Sequence, residues 1–103
     1  MKLLPLSSNE AELDITMIVA YYNVQSNTAD RFRVALNKTV EYLCEFPESG
    51  TKCRFQNPQY AGARMRTLDK PFNKYLIFFR QKGETLQFLR IIHGARNFKT
   101  LFK

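Results

Sequence analysis

The chain has 103 residues, of which 45% are hydrophobic, and a formal net charge of +7 at pH 7. A chain of this length forms one domain, residues 1–103, which removes about 60 to 70% of its unfolded surface from water without a disulfide or a metal ion. It has no cationic start followed by an apolar stretch and no apolar run near the roughly 20 residues that span a bilayer. We therefore expect a cytoplasmic protein without a membrane partner.

The positive charge is concentrated in the second half of the chain. Residues 1–50 carry four basic and seven acidic side chains, whereas residues 51–103 carry twelve basic and two acidic ones. This asymmetry favours an anionic partner for the second half: nucleic acid, a nucleoprotein assembly or an acidic protein segment. A role in solubility alone is the simpler alternative.

The two cysteines do not predict a metal site. Cys44 and Cys53 flank the turn-like sequence FPESG, which is not a CxxC spacing, and the chain has a single histidine. A zinc set needs four ligands, so we expect two reduced structural thiols, no metal and no cofactor.

The segment SSNEAELDITMIVAYYN predicts the first helix, ending near Tyr22. Ser7 with Glu10 three residues later has the pattern of a capping box. Its apolar residues form two stripes, one of Ala11, Ile15, Ile18, Val19 and Tyr22, and one of Leu13, Met17, Ala20 and Tyr21. Since a single sheet contact needs one stripe, either the helix is sandwiched inside its own domain or part of the second stripe is kept for a partner.

The segment NTADRFRVALNKTVEYLCEFP predicts the second helix. It contains no glycine and no internal proline, and its apolar residues recur at helical spacing. Asn27 or Thr28 is expected to cap its start, and Pro47 to end it. The short link NVQSN makes the two helices an antiparallel hairpin.

After the loop ESGTKCRFQNPQYAG the pattern changes to period two and predicts three strands, at about 63–68, 75–80 and 86–93. Gly83 allows a tight turn between the last two. YLIFFR is apolar on both faces and is therefore expected at the middle of the sheet, while KLLPL can add an edge strand because Pro5 disfavours a central position. The predicted fold is α+β, an N-terminal antiparallel helical hairpin packed on a small antiparallel sheet of three to four strands.

Arginines recur on the predicted strands, and the only histidine ends the last one. Arg64 and Arg66 are two residues apart and therefore point to the same face. The positions of Arg80, Arg90 and His93 relative to this pair depend on strand register, which the sequence does not fix. If they share the face, they form a basic concave surface that suits phosphate or carboxylate groups.

Enzymatic RNA cleavage would need a base, an acid and stabilisation of the phosphorane. Arginine can supply the last but not the first, because its pKa lies above about 12. His93 can transfer a proton, but Asp69 and Glu84 are expected in turns and supply no obvious second group. The pattern favours binding over catalysis, and the candidates for a nuclease site are Arg64, Arg66, Arg80 and His93.

Four blocks in order, AELDITMIVAYYN, ADRFRVALNKTVEYLCEFPESG, KYLIFFR and LRIIHGARN, resemble the ParE branch of the ParE/RelE superfamily of bacterial toxins from type II toxin–antitoxin systems. The resemblance runs from about Ala11 to Leu101. It implies a RelE/ParE-like fold, growth arrest by poisoning of DNA gyrase, and neutralisation by a cognate ParD-like antitoxin whose acidic C-terminal segment folds onto the toxin. Residues 75–80 and the HGAR block at 93–96 carry over directly, while Asn97 stands where the family usually has an aspartate.

The resemblance also implies two binding surfaces. Residues expected to bind the target are Arg64, Arg66, Arg80, Arg90, His93 and Arg96. Residues expected to bind the antitoxin are Leu13, Met17, Tyr21, Arg64 and Arg80.

Two alternatives to gyrase poisoning remain. A RelE-like, ribosome-dependent mRNA endonuclease would use basic residues of the regions where those nucleases act, with His93 as acid or base; those basic residues are Lys52, Arg54, Arg64, Arg66 and Arg80. Phe98 and Phe102 stand in the tail where RelE-like relatives tend to carry a functional tyrosine. The other alternative is an inactive relative that only binds antitoxin.

Overall fold

The computed structural model describes residues 2–23 and 27–94. The predictions that concern Arg96, Asn97, Phe98 and Phe102 lie outside the described residues. The elements in chain order are β1 (Leu4–Ser7), α1 (Asn9–Tyr22), α2 (Thr28–Glu45), β2 (Thr51–Lys52), a 3₁₀ turn (Pro58–Tyr60), β3 (Arg64–Thr67), β4 (Tyr75–Lys82) and β5 (Thr85–His93).

The two helices pack on one sheet with the strand order β1-β5-β4-β3-β2. The predicted α+β class and the central position of β4 are confirmed, as is the edge strand that contains Pro5. The prediction of a purely antiparallel sheet of three to four strands is wrong, because there are five strands and β1 runs parallel to β5. The strand β2 was missed because its two residues are too few to set a periodicity.

The residue that caps the start of α1 differs from the predicted one. Ser8, not Ser7, caps α1, and its hydroxyl oxygen accepts a hydrogen bond from the amide of Ala11 at 3.0 Å. Ser7 is instead the last residue of β1, so the predicted Ser7 and Glu10 capping box is wrong. Asn27 is the residue that precedes α2, without a side-chain capping bond.

The β4–β5 hairpin turns through Gly83, as predicted. Gly83 has φ of 61°, and no residue other than glycine has positive φ among the described residues. A two-residue turn that needs positive φ only at its first central position is of the II′ kind, which matches the twist of the flanking strands.

Apolar residues cover β4 on both faces. Ile77 and Phe79 pack with α2 residues such as Phe32 in the larger cluster, on what we call the helix side of the sheet. Phe78 packs on the opposite face in a second cluster with Tyr60, Ala63, Leu89 and Ile92. The loop between β2 and β3 therefore supplies the cover that the two-sided strand requires.

The two cysteines are free thiols, with Cys44 buried and Cys53 partly exposed, and burial raises the pKa of both. Within residues 2–23 and 27–94, no group of three or more His, Cys, Asp or Glu side chains is placed to hold a metal ion. None of the helices in this part of the chain has the length and apolar character needed to cross a membrane.

Candidate functional site

One face of α1 is apolar and open. Leu13, Met17 and Tyr21 are 63%, 71% and 68% exposed, whereas the other stripe of the helix is buried or half-buried against the sheet. The alternative in which both stripes are covered by the domain itself is therefore wrong. A row of three large apolar side chains at helical spacing on the surface is typical of a contact surface for a partner.

Arg64 and Arg66 lie on the helix side of the sheet. They stand opposite Phe79 and Ile77 of β4, and directly opposed residues point to the same face. Arg64 Nη1 donates hydrogen bonds to the carbonyl of Gly50 at 3.1 Å and to that of Glu48 at 3.4 Å. The guanidinium carbon of Arg66 lies 4.4 Å from the centre of the Tyr42 ring, a cation–π distance.

Arg80 lies on the opposite face, because it follows Phe79 directly in β4. Its Nη1 donates to the carbonyls of Gln59 at 2.9 Å and Ala61 at 3.2 Å, and its Nε donates to Gln87 Oε1 at 3.2 Å. The possibility of one basic face containing Arg64, Arg66 and Arg80 is therefore wrong.

Arg90 forms an ion pair inside the fold. Its Nε and Nη2 donate to the carboxylate oxygens of Asp14 at 2.7 Å and 3.0 Å, and the two side chains are only 17% and 12% exposed. The hydrogen bonds that Arg90 donates to Asp14 raise the pKa of Arg90, against the opposing effect of burial. Arg90 is thus engaged with α1, which is a structural role that the sequence reading did not foresee.

Asp14 also completes the edge of β5. The strand β1 pairs with β5 only as far as Phe88, so the backbone groups beyond that residue need other partners. The Ser8 hydroxyl donates to the carbonyl of Leu89 at 2.8 Å, and Asp14 accepts from the amide of Ile91 at 2.9 Å. The only hint in the sequence is that Asp14 is an acidic residue located between the two apolar stripes of α1.

His93 packs against Tyr75 at the end of β5. It stands opposite Tyr75, and the two rings meet edge to face with centroids 5.3 Å apart. The hydroxyls of Tyr75 and Tyr22 are 3.1 Å apart and hydrogen-bonded. Burial, followed by the contact with Tyr22, raises the pKa of Tyr75, so its hydroxyl stays protonated and is poorly suited to act as a base.

The family described as ParE toxin of type II toxin–antitoxin system, parDE, matches residues 7–98. The chain belongs to the ParE toxin family. A solved structure from the chromosomal ParDE toxin–antitoxin system of P. aeruginosa is similar with a TM-score of 0.69 and 23% identity, covering 89% of this chain and 96% of that chain. No curated protein matches.

The ParE family match confirms the resemblance carried by the four sequence blocks. The structural likeness supports the fold alone, since its identity is low. The roles of individual residues in target binding or antitoxin binding stay predictions. Among the described candidates, α1 brings Leu13, Met17 and Tyr21 together on one surface, while the arginines divide between two faces and an internal ion pair.

Proposed function

We propose that this ParE-family toxin poisons DNA gyrase in the cytoplasm and is neutralised by a cognate ParD-like antitoxin. The gyrase target is what the resemblance to the ParE branch implies. The observation that carries the choice over an mRNA endonuclease is the division of Arg64 and Arg66 from Arg80 across the two faces of the sheet.

A nuclease would need its charged groups around one scissile phosphate. His93 stands opposite Tyr75, and Arg64 stands opposite Phe79, four residues further along β4. At about 3.3 Å per residue this offset alone separates the backbones of Arg64 and His93 by about 13 Å along the strands, and Arg80 lies on the other face of the sheet. The described residues thus favour binding over RNA cleavage.

The open stripe of Leu13, Met17 and Tyr21 on α1 is the surface we assign to the antitoxin. The structural relative comes from a ParDE toxin–antitoxin system, and we carry that pairing over to this chain. The helix α1 contains Glu10, Glu12 and Asp14 but no basic residue, so an apolar face of the antitoxin fits this stripe better than an acidic one. The acidic residues of the antitoxin then need a separate contact.

The test is an assay of gyrase with the purified toxin. We expect inhibition of supercoiling or trapped, cleaved DNA, and relief of both on addition of the antitoxin. Ribosome-dependent cleavage of message with gyrase activity unchanged would establish the endonuclease alternative instead. Expression in a sensitive host without antitoxin separates both from an inactive relative, which would leave growth unchanged.

A pair of variants tests whether toxicity depends on charge or on proton transfer. We expect His93→Ala to weaken toxicity less than Arg64→Gln combined with Arg66→Gln, because a positive field depends on several charges while catalysis depends on one group. The matched control is Arg31→Gln with Arg33→Gln, which removes the same charge from exposed positions of α2. Complete loss of toxicity from the histidine change alone, with the fold intact by circular dichroism, would favour the nuclease.

A further inference from the structure

Two aromatic side chains lie exposed on the flank of α2 that overlooks β3. Tyr42 and Phe46 are one helical turn apart, and they are 43% and 51% exposed. Their ring centroids are 5.0 Å apart, with the ring planes tilted by 41°. The guanidinium carbon of Arg66 lies 4.4 Å from the centre of the Tyr42 ring. We call these three side chains, two rings and one planar cation, the aromatic platform.

The aromatic platform lies beside the core and is not part of it. The same turns of α2 bury Thr39 and Leu43 against the sheet, so the two rings occupy the edge of the buried stripe. Within residues 2–23 and 27–94, the side chain of Arg66 donates no hydrogen bond, and its one contact of this kind is the Tyr42 ring. Tyrosine, phenylalanine and arginine are the residue types that binding surfaces prefer.

Basic side chains border the aromatic platform along the sheet. Arg64 is two residues before Arg66 on β3, and Lys52 of β2 stands directly opposite Arg64. All three therefore point to the helix side. In the described part of the chain, no carboxylate forms an ion pair with any of them. Since β2 is the last strand of the sheet, this positive charge lies at an open edge of the molecule.

The combination of exposed rings and unneutralised charge fits single-stranded nucleic acid. Bases of a single strand stack on aromatic rings and on arginine, while neighbouring basic groups contact the phosphates. A duplex keeps the faces of its bases inside the stack, and an acidic peptide would leave the rings without a planar partner. Glu45 and Glu48 are exposed at the end of α2 and just beyond it, so they reduce the positive field and stacking must supply part of the affinity.

We propose that the aromatic platform, together with Arg64 and Lys52, binds single-stranded DNA, and that in the gyrase complex it binds unpaired bases of the DNA. The role in the gyrase complex rests on the proposed function, whereas affinity for a single strand does not. With one base on each ring, the aromatic platform holds about two bases, and its sequence preference should be weak because every base has a π face.

The test is a fluorescence-anisotropy titration of fluorescein-labelled oligothymidylate with the purified toxin. An abasic oligomer with the same number of phosphates and a duplex of the same length are the controls. We expect oligothymidylate to bind about fivefold or more tightly than the abasic oligomer, because stacking adds to the phosphate contacts. Three phosphate contacts predict a slope of about −2 for log affinity against log salt concentration. Equal affinities for these two oligomers, or tighter binding of the duplex, would overturn the proposal.

Variants of the aromatic platform separate stacking from charge. Phe46→Leu keeps an apolar side chain at an exposed position, so it should fold normally and lose severalfold in affinity for oligothymidylate. Arg66→Lys keeps the charge but loses the planar guanidinium, so it should weaken binding of oligothymidylate and leave binding of the abasic oligomer unchanged.

The matched control is Val34→Ala, an exposed apolar residue about two turns earlier on α2, which should change neither affinity. Circular dichroism of each variant verifies the fold. Unchanged affinity for oligothymidylate in both Phe46→Leu and Arg66→Lys would overturn the proposal, as would an equal loss in Val34→Ala.

Other occupants of the aromatic platform would give different results. Tighter binding of oligouridylate than of oligothymidylate would assign it to RNA. Binding of a gyrase subunit without DNA that Phe46→Leu weakens, with no affinity for oligothymidylate, would assign it to a protein partner. A toxin dimer in size-exclusion chromatography that Phe46→Leu dissociates would assign it to a second copy of this chain. Each of these results would overturn the assignment to DNA.

The role in the gyrase complex is tested separately. Phe46→Leu should raise the toxin concentration for half-maximal inhibition of supercoiling by the factor that it loses in affinity for oligothymidylate, whereas Val34→Ala should not. An unchanged concentration in Phe46→Leu, with the unaltered toxin active, would overturn this role. Failure of the unaltered toxin to inhibit gyrase would contradict the proposed function and leave the oligonucleotide result standing, so the two proposals fail separately.

Discussion

Among the polar contacts of the described residues, the ion pair of Asp14 and Arg90 should cost the most stability when it is removed. Asp14→Ala removes three hydrogen bonds at once, two from the Arg90 guanidinium and one from the amide of Ile91. It leaves the Arg90 side chain, which is 17% exposed, without its counter-charge. It also leaves the backbone of β5 without a partner at the place where the pairing with β1 has already ended.

The expected cost follows from these losses. Removing one partner of a buried ion pair costs about 3–5 kcal/mol, so Asp14→Ala should lower the free energy of unfolding by about that amount. Asp14→Asn keeps an oxygen that can accept from Ile91 and should cost about 1–3 kcal/mol. Arg90→Met also leaves the carboxylate of Asp14 without its counter-charge, but it keeps the hydrogen bond from the Ile91 amide, so it should cost somewhat less than Asp14→Ala.

Urea unfolding followed by circular dichroism measures these differences, and hydrogen exchange at the Ile91 amide reports the local opening. Glu12→Ala, an exposed acid on the same helix, is the control and should change stability by less than about 0.5 kcal/mol. The double variant Asp14→Ala with Arg90→Met should show a coupling energy of about 1.5–3 kcal/mol between the two side chains. A loss below about 1 kcal/mol in Asp14→Ala, or strict additivity with Arg90→Met, would refute the reasoning.

Three further outcomes are expected. Burial raises the pKa of Tyr75 above its ordinary value of 10.0, so the unfolded state releases this proton at lower pH than the folded state does. The contribution of Tyr75 to stability is therefore complete below about pH 10 and falls as the pH rises further. Between about pH 8 and 11, the urea midpoint of Tyr75→Phe should decline less steeply than that of the unchanged protein. Gly50→Ala would place its Cβ 2.5 Å from the Phe79 ring and should cost about 1–3 kcal/mol in urea unfolding. A thiol reagent should modify the partly exposed Cys53 well before Cys44, which is 2% exposed. Mass spectrometry of the labelled chain at successive times measures the order, and earlier labelling of Cys44 would contradict its burial.

Local patterns were sufficient for most of the fold. Helical spacing places α2, because its buried residues recur every three or four positions over 18 residues without a breaker. The apolar run of β4 predicts a central strand, because both of its faces need to be covered by other parts of the fold. The Ser7 cap was wrong because Ser7 and Ser8 are adjacent, and only the pairing of β1 with β5 decides which of them starts the helix.

The site was harder to predict because strand register is a tertiary property. Leu89 is an extra residue in β5, between the pairs Phe79 with Phe88 and Phe78 with Arg90. A bulge of this kind interrupts the alternation of faces, and Phe88 and Ile91 consequently both join the helix-side cluster although they are three residues apart. Strict period two would place them on opposite faces and would assign Arg90 to the wrong one. The basic residues of β3, β4 and β5 thus form separate contacts, with Arg64 and Arg66 on the helix side, Arg80 on the opposite face and Arg90 in an ion pair with Asp14.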